Sequence, residues 1–198
     1  MRSPKRYIAM VAVARRGFTL IELLVTMALL AIMLALAAPS FVTFQRNSEL
    51  TASANSFVAA LSAARAEAMK RQLRTFVIPA SGATNWASGW RVFVDVDANV
   101  TSGSMAPSSA DIVVSQQPAL PDSVSVNTST IATPFVDSGV AYAMFNGSGF
   151  MTTLAGGFVT NGLELTNGTE SRRIIANTTG RLRVCKPADA DCNTGGGF

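Results

Sequence analysis

The sequence predicts an α+β protein: one long N-terminal helix, apolar and then amphipathic, packed on an antiparallel β-sheet domain. Three observations point there. Residues 18 to 38 form an almost unbroken apolar run. Beyond Pro39 the apolar positions return at helical spacing. After Arg74 they give way to short runs rich in Val, Ile, Phe and Thr, separated by Gly, Pro, Ser and Asn. A chain of 198 residues suits one anchor and one domain of about 100–150 residues, enough for a real core.

The apolar run from Phe18 to Ala38 has 21 residues. At about 1.5 Å per residue it crosses about 30 Å of hydrocarbon. Before it stand Arg2, Lys5, Arg6, Arg15 and Arg16 without any acid, a flank that keeps the N-terminus in the cytoplasm and sends the C-terminus outward. The same flank accounts for the net charge of +4, since without it eleven basic residues face twelve acidic ones. Any anion site in the rest of the chain must therefore be local. A cleaved secretory signal, with Ala37-Ala38-Pro39 near the cut, is the alternative, although its apolar core would be only about 7–15 residues long.

One carboxylate, Glu22, stands near the start of this run. A charge at the centre of a membrane helix costs about 2.5–3.5 kcal/mol, and less near an end. A shallow Glu reaching to the headgroups is the plainer reading; pairing with a second chain is the other.

Past Pro39, Leu50, Ala54, Phe57, Leu61, Ala64 and Ala68 recur at intervals of four, three, four, three and four, a one-faced apolar stripe. One helix from about Phe18 to about Gln72, kinked near Pro39, accommodates both halves. Two helices broken at Pro39 accommodate them as well. Arg65, Lys70, Arg71 and Arg74 make the far end basic, as a solvated face matching the helix dipole would be.

Eight strands are expected: Thr75–Ile78, Trp90–Val96, Ile112–Gln116, Val124–Asn127, Val140–Phe145, Phe158–Leu165, Arg172–Ala176 and Arg181–Cys185. Residues 98 to 111 and 117 to 139 read as long loops or a β excursion.

Chemistry is sparse. The chain has no histidine, which removes the commonest general base and most zinc sites. No paired carboxylates, phosphate loop or nucleophile elbow replaces it, so neither catalysis nor a cofactor is expected; a membrane-anchored periplasmic enzyme is a remote alternative. Asp95, Asp97 and Asn99 alternate as a calcium loop begins, but Val100 stands where its glycine belongs and Ala106 where its glutamate belongs. A polar turn suffices, and no metal site is expected. Cys185 and Cys192 fit one disulfide in an exported protein; free thiols or half a metal site are the other readings.

The local anion candidate is the last hairpin, "SRRIIANTTGRLRVCK". Asn177-Thr178-Thr179-Gly180 is turn chemistry. Beyond it Arg181 and Arg183 share one face and Leu182 and Val184 the other. Arg172 and Arg173 do not alternate, so the register stays open. With Lys186 they place five basic residues within fifteen positions. Paired guanidinium groups suit phosphate; a solvated edge strand whose charges discourage aggregation is the plain alternative.

Gly17-Phe18-Thr19-Leu20-Ile21-Glu22-Leu23-Leu24-Val25 resembles the processing site of type IV pilins and type II secretion pseudopilins. "NSELTASANSFVAALSAARAEAMKRQ" (47 to 72), "SGWRVFVD" and "TTGRLRVC" resemble the GspH/FimT family of minor pilins and pseudopilins. The resemblance implies a type IV pilin-like fold, with 1–17 a cleaved leader and 18–39 the transmembrane and filament-core half of the helix. The amphipathic half is then 40–72 and the β-rich domain 73–198. It implies cleavage between Gly17 and Phe18, methylation of Phe18, and a role for Glu22 in filament assembly. In an isolated subunit Glu22 would then have only the new Phe18 amine, one turn away, and in a filament the amine of a neighbouring subunit. The implied partners are major and minor pilins, the prepilin peptidase and the inner-membrane assembly platform. The implied place is the inner membrane, with the C-terminus periplasmic, and then the pilus surface. Gly180-Arg181-Leu182-Arg183 matches the pattern that implies double-stranded DNA, bound weakly and without sequence preference during natural transformation. A minor pseudopilin of a type II secretion system is the alternative.

Overall fold

The computed structural model describes residues 17–82, 84–127, 134–137, 139–189 and 192, with the backbone alone at Pro39. The basic flank up to Arg16, Asp191 and the glycines of the tail lie outside the described residues. The chain forms two compact units, one ending at Val42 and the other beginning at Thr43.

The first unit is the apolar part of α1 (Leu20–Arg71). Helical backbone continues through residue 39, so the two-helix alternative is set aside. Every large apolar side chain from Leu20 to Leu36 is exposed, which leaves an oily surface with nothing from its own unit to cover it. A contiguous apolar surface of this kind belongs against lipid or another chain.

The second unit is built on the rest of α1. Leu50, Ala54, Phe57, Leu61, Ala64 and Ala68, the whole expected stripe, are buried. Phe57 sits edge-on to Trp86, Trp90 and Phe135, with ring centroids 5.3, 5.0 and 5.7 Å away. The helix stops at Arg71 because Gln72 takes a left-handed φ of 58° and its side-chain amide donates to the Met69 carbonyl, 2.9 Å away. Lys70 and Arg71 pair with Glu67 in this last turn. The hydrogen bond from Arg71 is the main reason the Glu67 carboxyl is held below its usual range.

Among the described residues ten strands follow: β1 (Thr75–Pro79), β2 (Trp90–Val94), β3 (Ile112–Gln117), β4 (Ser125–Asn127), β5 (Val136–Asp137), β6 (Val140–Ala141), β7 (Ala143–Phe145), β8 (Asn161–Asn167), β9 (Glu170–Ala176) and β10 (Leu182–Cys185). They make two four-stranded antiparallel sheets, in the orders β3-β2-β1-β7 and β10-β9-β8-β4, and a small β5-β6 ribbon.

Strand β1 is buried at all five residues because both faces of its sheet are covered. Val77, Val92, Ala143 and Phe145 join the helix stripe in the main core. Phe76, Phe93 and Met144 face the other way, under Val100 and Met105. The excursion over 98–111 is thus a cover for the second face of the sheet. Its base is fastened by carboxylates: Asp111 accepts from the amides of Val96 and Ser108, and Asp95 accepts from Arg74 and the Asn99 amide.

Two expected strands are corrected. Val140–Phe145 is interrupted at Tyr142, so β6 pairs with β5 while β7 pairs with β1. The Tyr142 hydroxyl, in the gap, donates to Asp137 at 2.7 Å and accepts from the Leu154 amide at 3.0 Å. Burial, then the bond to Asp137, pushes that phenol up to about 12. The strand expected from Phe158 begins only at Asn161; Phe158 makes a single bridge to Thr152 and its ring is exposed.

Candidate functional site

Two places carry the polar chemistry: the start of α1 and the end of the domain bearing the last hairpin. At the helix start Thr19 is the N-cap and Glu22 the third helical residue. The Glu22 amide donates to the Thr19 hydroxyl at 3.3 Å, and the Thr19 amide reaches back to the Glu22 carboxylate at 3.5 Å. This is a loose capping box, which satisfies two of the amides that every helix start leaves open. It corrects the expectation that Glu22 has only the Phe18 amine within reach, and the Thr-x-x-Glu spacing had carried the signal.

The register of the last hairpin, left open by the sequence, is fixed by its pairing. Leu182 lies opposite Ala176, Arg183 opposite Ile175, Val184 opposite Ile174 and Cys185 opposite Arg173. Alternation then sorts the side chains onto two faces. Ile174 and Ala176 join Leu163 and Leu165 on the face turned to the helix stripe. Ile175, Cys185 and Cys192 pack together on the other face. Cys185 and Cys192 form the disulfide, with Cα atoms 5.8 Å apart.

This register divides the five expected basic residues. Arg173 is buried, and its Nη2 and Nε donate to one carboxylate oxygen of Glu164, at 2.7 and 3.1 Å. As a DNA contact Arg173 is therefore corrected: it serves the interior of the fold. Arg172 points to the helix side, where it reaches the Asn47 side chain at 3.3 Å and Glu170 at 3.7 Å, and it too is drawn away from the surface. Arg181 and Lys186 are exposed, and Arg183 is half-buried.

The turn itself is held from the helix. Arg65 donates through Nε to the Gly149 carbonyl at 3.0 Å and through Nη2 to the Thr179 carbonyl at 2.8 Å. The expectation of a purely solvated helix face fails at this residue. Gly180 has a φ of 74°, and a Cβ built there would fall 2.6 Å from Arg65 Nε, so both backbone and space demand glycine. Asn177 closes the turn by accepting from the Arg181 amide and the Thr179 hydroxyl, each at 2.8 Å. Beside it a groove of about 340 Å³ runs between the helix and the strand, lined by Ser62, Arg65, Met69 and Arg181 among others.

Asp95, Asp97 and Asp111 each bring one oxygen within 4.8 Å of the others. Arg74, Asn99, Ser108 and backbone amides already donate to them, as a polar turn requires.

One long N-terminal helix, apolar and then amphipathic, with antiparallel sheets is the pilin-like fold. Over residues 53–180 the chain matches the model of the family described as type II transport protein GspH. Over residues 9–38 it matches the prokaryotic N-terminal methylation motif. The chain belongs to the GspH family, whose members are minor pilins and pseudopilins. No curated protein sequence matches it significantly. Among solved structures it is similar to the type IV minor pilin FimU of Pseudomonas aeruginosa strain PAO1, at 15% identity over 74% of this chain and 95% of that one, with a TM-score of 0.53. A second crystal form of that protein gives 14% identity, coverage of 71% and 95%, and a TM-score of 0.50. The minor pseudopilin EpsH of the Vibrio cholerae type 2 secretion system gives 16%, coverage of 71% and 99%, and 0.48. At such identities these likenesses concern the fold. An apolar helix and this family together make the protein a membrane-anchored subunit that assembles with other pilins in a pilus or pseudopilus.

The different settings of the arginines predict different losses. Glu164→Ala removes the carboxylate that accepts two hydrogen bonds from the buried Arg173 and should lower stability by about 1.5–3 kcal/mol. Arg181→Ala, at an exposed position, should stay within about 0.5 kcal/mol of the parent. Thermal unfolding of the full chain in detergent, followed by circular dichroism, checks the contrast.

Proposed function

We propose that this protein is a minor pilin of a type IV pilus that contributes to DNA uptake. In this reading residues 1–17 are removed as a leader at the Gly17-Phe18 bond by the prepilin peptidase, and Phe18 becomes the methylated N-terminus. Residues 18–39 hold the subunit in the inner membrane, with the C-terminus periplasmic, and later join the filament core. Residues 40–72 carry the domain 73–198.

Glu22 has a part in assembly because its capping contacts are loose and its surroundings apolar. In a packed filament the terminal amine of a neighbouring subunit offers a stronger partner. A buried charge with such a partner is far less costly than one without, so the carboxylate favours the correct stagger. Glu22→Ala should insert into the membrane normally but enter filaments several-fold less; cell fractionation together with immunoblotting of sheared pili measures both, and normal incorporation would remove the role.

The DNA reading is supported chiefly by Arg181 and Arg183, which follow a turn held rigidly to the helix by Arg65. Guanidinium groups just before and within β10 can meet successive phosphates, and a few contacts give weak, salt-sensitive binding to any sequence. Lys186 adds charge beyond them, whereas Arg172 and Arg173 do not belong to this set. The full chain in detergent should bind duplex DNA, and Arg181→Ala and Arg183→Ala should each lower the slope of log K against log salt by about one. Identical binding and slope in all three proteins would remove the site.

The second reading, a minor pseudopilin of a type II secretion system, is favoured by the family match over 53–180. Deletion of the gene followed by separate assays of transformation and protein secretion distinguishes the two.

A further inference from the structure

Among the described residues of the domain, two aromatic rings break the pattern of burial. Beyond residue 44, both tryptophans and Phe57, Phe76, Phe93, Phe135 and Phe145 are buried, yet Phe150 is 39% exposed and Phe158 is 64% exposed. They touch each other, with centroids 5.7 Å apart and planes inclined at 71°. An edge-on contact of this kind leaves at least one ring with both faces uncovered by the other. Exposed apolar surface that the fold does not bury calls for an explanation.

Their position supplies one. Asn146 accepts from the Phe150 amide at 3.0 Å, and the Gly149 carbonyl beside Phe150 accepts from Arg65. The Met151 amide donates to the Thr178 carbonyl at 3.0 Å, and the Val159 amide, next to Phe158, donates to the Met151 carbonyl at 3.3 Å. The segment bearing both rings is thus fastened to the turn that precedes Arg181, and the helix holds both through Arg65. Two accessible rings and a guanidinium group share one rigid end of the domain.

We infer that this end is a stacking platform for unpaired nucleobases, so that the DNA it holds best is single-stranded or frayed. The inference rests on the DNA reading and adds its substrate class. A closed duplex hides the faces of its bases and offers only phosphates to Arg181. An unpaired base offers a flat surface that stacks on phenylalanine and on guanidinium alike, whatever its sequence. Because the platform is held in place beforehand, little ordering is lost when a base settles on it.

The test compares oligothymidylate with a blunt duplex of the same number of phosphates, bound to the full chain in detergent and followed by fluorescence anisotropy. Variants Phe158→Ala, Phe158→Trp and Arg181→Ala accompany the parent, each with circular dichroism as a check of fold. The parent should prefer the single strand. Phe158→Ala should weaken it about tenfold with little change on the duplex, and Phe158→Trp should keep the preference. Arg181→Ala should weaken both. If the parent binds neither DNA, the DNA reading fails and the platform falls with it. If it binds both equally, or if Phe158→Ala weakens both alike or neither, the platform alone is overturned and the phosphate contact stands. Loss of filament incorporation by Phe158→Ala with DNA binding unchanged would assign the rings to a neighbouring pilin and overturn the inference too.

Discussion

The burial of one helix stripe governs this molecule. Leu50, Phe57 and Leu61 are wholly buried, as are Ala54, Ala64 and Ala68 on the same stripe, and both four-stranded sheets turn a face to them. The small residues of the stripe let the sheets approach closely, and Phe57 fills the space among Trp86, Trp90 and Phe135. The same helix is exposed along its earlier, oilier length. A chain that buries one half of a helix and leaves the more apolar half bare is complete only among lipids or among its own kind, and the family of minor pilins and pseudopilins meets that need.

Polar contacts decide how the hairpins lie once the stripe has gathered them. Arg65 reaches two carbonyls at the Gly149 and Thr179 end. At the other end of β9, Arg172 reaches Asn47, while Glu49 accepts from Ser123, Gln45 and Asn167. These bonds, that from Ser123 first, hold the Glu49 carboxyl below its usual range, so the contact is intact above the ordinary carboxylate range and weakens on acidification. These four guanidinium groups divide three tasks among them. Arg65 and Arg172 bind the helix to the sheet, Arg173 serves the interior with Glu164, and Arg181 faces outward.

What could be read from the chain follows the range of the interactions. The helix stripe, the two-sided apolar run at β1 and the turn at Asn177–Gly180 depend on neighbours close in sequence, and all three are legible there. The capping box of Thr19 and Glu22 is equally local, since Thr-x-x-Glu at the head of an apolar run is its sequence signature. The opposite fates of Arg172 and Arg173 depend on which face of β9 meets the helix, and a pair of adjacent arginines does not encode that. Arg65 contacts carbonyls 84 and 114 residues away, beyond any local pattern. The exposed ring of Phe158 escaped for a related reason: an apolar residue beside a strand is expected to be buried, and only the bridge to Thr152 shows the chain turning earlier.

The claim beneath all of this is that the apolar helix stays with the domain and begins the mature chain. Intact mass spectrometry of the protein purified from the membrane of its own cell tests it most directly. The account predicts one species that starts at Phe18 and carries a single added methyl group. A chain that keeps Met1, or one that begins near residue 40, would contradict it.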